Sequence, residues 1–285
     1  MQKIWVCGAR GQIGQAVNDV VDKLEFEMLD TDVDDLDLTD TDEVLRFGEM
    51  NRPDIIINCS GMTDISSCEE NPSQAFKVNA LGARNLAIVA AKMQAKMVQL
   101  STDDVFDGKS TEPYTEFDIT NPGTVYGKSK LAGENYVKEF TTKHFIVRST
   151  WVYGKGQNFI NGFLKKVDAG EQLSIASDQF GSPTSANELA RFLLHLVHTS
   201  EYGTYHATNK GVCSRYAFAQ EILKMTGKTA SMQPVPTVMS DFSKVRPAYA
   251  VLDNFIMSMV PIYDFPDWQD SLREYLEERG LYHAE

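Results

Sequence analysis

Short apolar runs alternate with longer amphipathic segments through the first half of the chain. The apolar runs predict buried strands at residues 3–8, 25–29, 54–60, 96–101 and 144–149. Between them, apolar residues recur at helical spacing near residues 12–24, 40–50, 72–94 and 123–140. Because strands that alternate with helices favour right-handed βαβ units, this half predicts a doubly wound parallel sheet of the α/β class.

The second half of the chain is less regular. Loops are predicted at residues 151–162 and 177–187, helices near 187–198, 215–226 and 266–279, and extended pieces at 203–207 and 246–252. This mixture predicts a smaller α+β lobe over residues 151–285, laid against the carboxyl edge of a sheet domain over residues 1–150. We expect the helix region 184–200 to complete that sheet domain.

The composition limits the classes of partner. Of the 285 residues, 40 are acidic and 27 are basic, and the net charge of −13 disfavours binding to nucleic acid or anionic lipid. No apolar run approaches the roughly 20 residues of a membrane span, and the N-terminus enters a strand at once, unlike a secretory signal. We therefore expect a cytoplasmic protein.

The candidate metal ligands do not form a complete set. The four cysteines lack CxxC spacing, and His195 and His198 share a helix face without an evident third ligand. The acidic run 30–43 places Asp35 and Thr41 where a calcium loop requires Gly and Glu. We expect no metal site.

A glycine-rich turn follows the first predicted strand and precedes a helix. The sequence GARGQIG places Gly8, Gly11 and Gly14 at three-residue intervals. The first glycine permits a tight turn, the second lets a pyrophosphate approach bare backbone, and the third lets the helix close onto the strand. Because a helix N-terminus attracts phosphate, the segment predicts a Rossmann-like dinucleotide-binding domain over residues 1–150.

Two charged residues give opposite indications about the dinucleotide. Asp30 ends the second predicted strand, where a carboxylate would bind the ribose 2′-hydroxyl of NAD and repel the additional phosphate of NADP. Arg10, within the glycine turn, would instead pair with that phosphate. These residues leave both NADPH and NADH open as the cofactor.

A tyrosine and a lysine lie one helical turn apart before the fifth predicted strand. Tyr126 and Lys130 are at positions i and i+4 and therefore share a helix face. A neighbouring cation favours the phenolate and lowers the pKa of a phenol from its ordinary value of about 10, so that the phenol can donate a proton to a carbonyl oxygen. Thr102 ends the fourth predicted strand, at the sheet edge where doubly wound folds bind ligands, and could hydrogen-bond the same oxygen.

Together these residues resemble those of the extended short-chain dehydrogenase/reductases, most closely the dTDP-4-dehydrorhamnose reductase family. The similar segments span residues 8 to 253 in the family's order: GARGQIG, NCSGMT, KVNALGARNLA, STDDVFDG, VYGKSKLAGE, RSTWVYGKGQNF, DQFGSPT, GTYHATNKG and RPAYAVLD. The resemblance implies NAD(P)H-dependent reduction of the C4 keto group of dTDP-4-dehydro-L-rhamnose. It also implies that the 151–285 lobe mainly binds the substrate. A homodimer is the candidate assembly.

The resemblance also implies residue roles. Tyr126 would donate the proton, Lys130 would assist it and hold the nicotinamide ribose, and Thr102 would polarise the carbonyl. Residues that would border the dinucleotide are Gly11, Gln12, Ile13, Asp30, Asp37, Leu38, Gly61, Met62 and Thr63. Thr102, Asp103 and Trp151 would contact the sugar nucleotide, although Trp151 could also be an ordinary core tryptophan. Arg246 is a candidate for the diphosphate, with a surface ion pair as the alternative.

Three residues depart from the family pattern. Asp104 is found where the family usually has a tyrosine. Met62 is found where an aromatic residue or histidine is usual, and Arg215 where tryptophan is usual. The pair Asp103–Asp104 partly imitates the acidic pair of nucleotide-sugar dehydratases, so a dehydratase or epimerase with recycled NAD is one alternative. A non-catalytic regulatory subunit of methionine adenosyltransferase, which shares this fold, is the other.

Overall fold

The computed structural model of the protein describes residues 1–239 and 248–283. Over these residues the strands are β1 Gln2–Cys7, β2 Phe26–Thr31, β3 Ile55–Asn58, β4 Lys96–Thr102, β5 His144–Ser149, β6 Val152–Tyr153, β7 Leu173–Ala176, β8 Phe180–Gly181, β9 Thr184–Ser185, β10 Gly203–His206, β11 Cys213–Ser214 and β12 Met232–Val235. The α-helices are α1 Gln12–Val20, α2 Thr41–Asn51, α3 Ile65–Glu70, α4 Pro72–Phe76, α5 Gly82–Met93, α6 Val125–Phe140, α7 Phe159–Asp168, α8 Ala186–His198, α9 Arg215–Thr226, α10 Phe255–Met259 and α11 Trp268–Glu278. A π-helical turn, Lys77–Leu81, joins α4 to α5, and 3₁₀ turns lie at Asp103–Val105 and Thr237–Met239.

A parallel sheet of six strands, in the order β10-β5-β4-β3-β1-β2, forms the centre of the fold. Its middle strands are apolar on both faces because helices cover both faces of the sheet. Strand β3, for example, buries all four of its residues. The predicted Rossmann-like doubly wound α/β fold is confirmed.

Two helical layers flank the sheet. Helices α1 and α8 pack together and contribute to one apolar cluster, whereas α2, α5 and α6 contribute to the cluster that includes Trp5 and Ile56. The carboxyl ends of the parallel strands meet at one edge, so the residues after β1, β3, β4 and β5 surround one crevice.

A separate apolar cluster lies in the second half of the chain. It joins α7, β7, α9 and α11 through buried side chains such as Phe163, Phe218 and Leu272. Among the described residues, none of the helices has the length and apolar character to cross a membrane.

Two predictions for the second half were wrong. The extended piece 203–207, expected in the smaller lobe, supplies β10, an edge strand that pairs in parallel with β5 of the central sheet. Helix α7 begins at Phe159, inside the predicted loop 151–162, because Asn158 caps its first turn and its apolar residues face the second cluster. The predicted division of the chain near residue 150 stays a prediction.

Candidate active site

Two adjoining cavities occupy the crevice at the carboxyl edge of the sheet. One, of about 780 Å³, is lined by the glycine turn, by the ends of β4 and β5, and by residues of α6 and the second half of the chain. The other, of about 420 Å³, lies beside β2. Both are lined by Gly11, Cys59, Ser60 and Gly61, so they form one groove that passes the glycine turn.

The glycine turn depends on close backbone contacts. Gly8 has a φ of +74°, and a Cβ there would lie 2.8 Å from Ser60 N. A Cβ on Gly14 would lie 2.3 Å from Gly8 O, so only glycine lets α1 begin this close to the turn. Gly11 precedes α1 and lines both cavities, next to Gln12 and Ile13 in the larger one. The turn thus fits a pyrophosphate at the N-terminus of α1.

The structure places Asp32, rather than Asp30, beside the smaller cavity. Strand β2 continues to Thr31, beyond the predicted end at residue 29, so the first carboxylate after the strand is that of Asp32. Asp32 Oδ2 accepts a hydrogen bond from Arg10 N at 2.9 Å. The carboxylate of Asp30 instead accepts one from Asn18 on α1 at 3.0 Å.

The side chain of Arg10 is turned toward the acidic loop that follows β2. Its guanidinium lies 3.0 Å from Asp34 Oδ2 and 3.7 Å from both Asp32 Oδ2 and Asp35 Oδ2. Three carboxylates therefore surround the Arg10 guanidinium, which sequence analysis had considered as a partner for the 2′-phosphate of NADP.

Further residues of the predicted dinucleotide set line the same groove. Asp37 and Leu38 line the smaller cavity, and Thr63 lines the larger one. Met62, which lines the smaller cavity, donates its backbone N–H to Asn79 Oδ1 at 2.8 Å, while its carbonyl accepts Asn79 Nδ2 at 2.9 Å. Asn79 lies on the π-helical turn.

Sequence analysis did not single out Asn79. It is buried and also donates to Ser129 Oγ at 2.9 Å, so one amide ties the loop after β3 to helix α6. The available signal was a polar residue on the otherwise apolar face of a predicted helix.

Helix α6 brings the predicted catalytic side chains to the larger cavity. The Thr124 side chain caps the helix by accepting Gly127 N at 2.9 Å, which fixes where its first turn begins. Tyr126 and Lys130 are 8% and 5% exposed and line the cavity together with Thr102. The three residues that were predicted to act together are therefore brought together.

The amine of Lys130 lies between strand β4 and the loop after β3. Its Nζ donates to Leu100 O at 2.6 Å, and a Cβ added to Gly61 would lie 3.7 Å from it. Burial lowers the pKa of Lys130 to about 8, although the negative charge of Glu134 acts in the opposite direction. The Lys130 amine can therefore gain or lose a proton at a pH near 8.

A layer of buried charges lies behind Lys130. Glu134, one helical turn further along α6, accepts Arg148 Nε at 2.9 Å and Arg148 Nη2 at 2.7 Å. Its Oε1 also accepts Ser101 Oγ at 2.6 Å, and Ser101 lines the larger cavity. Arg148 Nη1 is 3.5 Å from His206 Nε2. Burial and the arginine together lower the pKa of His206 to about 3.

Trp151 also lines the larger cavity. Its backbone has a φ of +47°, unusual for a residue with a side chain. A Cβ on Gly181 would lie 2.6 Å from Trp151 Cε2, and Arg215 Cζ lies 3.4 Å from the centroid of the indole ring. Asp103 lines the same cavity, whereas Arg246 lies outside the described residues.

Residues 1–280 match the model of the protein family described as RmlD substrate binding domain. The chain belongs to this family. It is 40% identical to a dTDP-4-dehydrorhamnose reductase from Clostridium acetobutylicum, whose crystal structure matches with a TM-score of 0.95 over 98% of this chain and 100% of that one. The dTDP-4-dehydrorhamnose reductase of Bacillus anthracis, solved in complex with NADP, is 35% identical, with a TM-score of 0.94 over 98% and 100% of the two chains. The spore coat polysaccharide biosynthesis protein SpsK of Bacillus subtilis is 35% identical over 98% of this chain and 99% of its own length.

Within this RmlD family member, the three unusual residues lie at different depths. Asp104 is buried in the 3₁₀ turn after β4, where a Cβ on Gly127 would lie 2.0 Å from its carbonyl oxygen. Met62 is held by the amide of Asn79. Arg215 lines the larger cavity, so of the three it is the one best placed to meet a substrate there.

Proposed function

We propose that this protein reduces the C4 keto group of dTDP-4-dehydro-L-rhamnose with NADPH or NADH, giving dTDP-L-rhamnose. The observation that carries the proposal is that Tyr126, Lys130 and Thr102 line the same cavity as the glycine turn. Membership of the RmlD family and full-length similarity to dTDP-4-dehydrorhamnose reductases support it.

The residues present fit a nicotinamide dinucleotide. The bare backbone of the glycine turn would hold the pyrophosphate at the N-terminus of α1, and Asp37 and Leu38 would border the adenosine in the smaller cavity. Gln12 Oε1, which is buried and has no hydrogen-bond partner among the described residues, is an acceptor that a bound cofactor could satisfy. The reduced nicotinamide, when bound, supplies the hydride.

The side chains of this protein would donate the proton and stabilise the groups between which it moves. The Tyr126 hydroxyl would give its proton to the oxygen of the carbonyl that the hydride reduces, so that an alcohol forms and a phenolate remains. Lys130, while protonated, stabilises that phenolate electrostatically and can hold the nicotinamide ribose hydroxyls. The Thr102 hydroxyl donates to Asp103 Oδ1 at 3.0 Å. It would turn from that carboxylate to donate a hydrogen bond to the same carbonyl oxygen and keep it directed at the phenol.

The geometry favours a reductase over the two alternatives. Elimination of water would need an acid at hydrogen-bond reach of the sugar, and the second member of the acidic pair, Asp104, is buried in a tight turn. A purely regulatory protein has no need of a phenol and an amine in one cavity. A cytoplasmic location and a homodimeric assembly, expected from the sequence and the resemblance, belong to the proposal as well.

The proposal is tested by following nicotinamide absorbance with the keto sugar, using NADPH and NADH in parallel. Replacing Tyr126 with Phe should lower kcat by about 10²- to 10⁴-fold while cofactor binding is kept. Tyr136, on the same helix but lining a different surface cavity, provides the matched Tyr→Phe control.

Each of the other possible results of this assay has a different meaning for the function of the protein. Conversion of the sugar without net loss of reduced cofactor indicates recycled NAD. Absence of turnover on any 4-keto nucleotide sugar, together with a stoichiometric protein partner, indicates regulation. Unchanged turnover in Tyr126→Phe contradicts the proposed mechanism.

A further inference from the structure

Several buried polar atoms on the wall of the larger cavity lack hydrogen-bond partners among the described residues. They are Gln12 Oε1, Thr150 Oγ1, Tyr153 Oη and Gln179 Nε2. A buried polar group without a partner is unfavourable, and native proteins keep few of them. The residues that carry these atoms line one cavity, so a bound ligand is a candidate partner for them. Gln12 belongs to the cofactor side, whereas the other three lie beyond the end of β5, on the wall formed with the second half of the chain.

Gln179 and Arg215 are joined on that wall. The backbone carbonyl of Gln179 accepts the Arg215 N–H at 3.0 Å, and both side chains line the cavity. Gln179 is 5% exposed, so its amide has little access to bulk water. Rotation of the amide toward the cavity would let a ligand there accept the hydrogen bond that Nε2 does not make within the described residues.

Two aromatic rings orient the guanidinium of Arg215. Its Cζ lies 3.4 Å from the Trp151 ring centroid and 4.8 Å from that of Phe159. Stacking uses the faces of a guanidinium, and its N–H donors lie in the plane between those faces. Because the rings hold this plane in place, the cation loses less conformational freedom when it binds an anion.

The other basic residues on this cavity have different positions. Among the described residues, Arg10 lines the cavity at the glycine turn, Lys155 lines it just after β6, and Lys130 lines it beside the phenol. In a nucleotide sugar whose base and deoxysugar are neutral, the diphosphate is the group that carries negative charge. A chain with a net charge of −13 needs a local cation to hold such a group.

We propose that Arg215 and Gln179 bind the diphosphate of the nucleotide-sugar substrate. This inference rests on the proposed function, since it identifies how the same cavity holds that substrate. The guanidinium gives charge-assisted hydrogen bonds to phosphate oxygens, and the amide N–H of Gln179 adds one more. The diphosphate then lies against the wall of Trp151, which leaves the keto sugar free to extend toward Tyr126.

The inference is tested by calorimetric titration of the whole protein with dTDP and with thymidine, which lacks the phosphates. Arg215→Met should weaken dTDP binding by about 10- to 100-fold, from the strength of a hydrogen bond to a charged group, and leave thymidine binding nearly unchanged. Gln179→Met should weaken dTDP binding by about 3- to 10-fold. Arg215→Lys, which keeps the charge, should recover part of the loss.

Matched controls come from the same half of the chain. Arg273 and Gln220 are exposed on α11 and α9, and their replacement by Met should leave both affinities unchanged. Unchanged NADPH affinity in every variant reports an intact fold.

The inference is overturned if Arg215→Met weakens dTDP and thymidine equally, or weakens neither. A wild-type protein that binds no dTDP overturns it together with the proposed function. A wild-type protein that binds dTDP but does not reduce the keto sugar refutes the reductase assignment alone.

Discussion

The buried ion pair of Glu134 and Arg148 allows a quantitative prediction about stability. Their side chains are 0% and 3% exposed, and two hydrogen bonds of 2.9 and 2.7 Å join them. We consider Glu134→Leu and Arg148→Met, alone and together. Each single replacement leaves one charge buried without its partner, whereas the double replacement leaves neither.

The expected magnitudes follow from that difference. Removing one member of a buried ion pair costs about 3–5 kcal/mol in the free energy of unfolding, because the remaining charge is desolvated and uncompensated. Glu134→Leu also removes the acceptor of the Ser101 hydroxyl, so it should be the more damaging of the two. The double variant should be more stable than either single variant, with a coupling of at least about 3 kcal/mol.

Urea denaturation of the four proteins measures these free energies in a double-mutant cycle. Lys138→Met is the control, because Lys138 meets the same carboxylate at 3.8 Å but from an exposed position, and exposed pairs contribute about 0–1 kcal/mol. Single variants that lose less than about 1 kcal/mol, or a double variant whose loss equals the sum of the singles, would refute the buried-pair reasoning.

Two further predictions concern pH. Because the pKa of Lys130 is lowered from 10.5 to about 8 by burial, the unfolded chain binds a proton between these values that the folded chain does not. The stability of the wild type relative to Lys130→Met should therefore rise between pH 8 and 10.5, by up to roughly 3 kcal/mol; a flat difference in denaturation midpoints contradicts this. His206, whose pKa falls from 6.5 to about 3 through burial and Arg148, should make the wild type less stable as pH drops below 6.5, by about 1.4 kcal/mol per pH unit. His206→Gln should reduce that slope in urea titrations between pH 6.5 and 4, and equal slopes would show that another group is responsible.

Several elements of the fold could be predicted from the sequence because their signal is local. Strand β5 and helix α9 begin and end where the pattern predicted them, because apolar periodicity and caps depend on residues only a few positions apart. The pairing of Tyr126 with Lys130 is equally local, since an i, i+4 spacing on a helix fixes a shared face. The glycine turn belongs to the same group.

Other features depend on residues that are distant in the chain and could not be predicted from local sequence. Strand β10 is too short to show which sheet it joins, and its place beside β5 follows from how α8 returns the chain to the sheet. The stacking of Arg215 on Trp151 joins segments 64 positions apart, and the contact of Arg148 with His206 joins segments 58 positions apart. No local periodicity encodes such contacts, because they form only after the strands have been ordered and the helices packed against them.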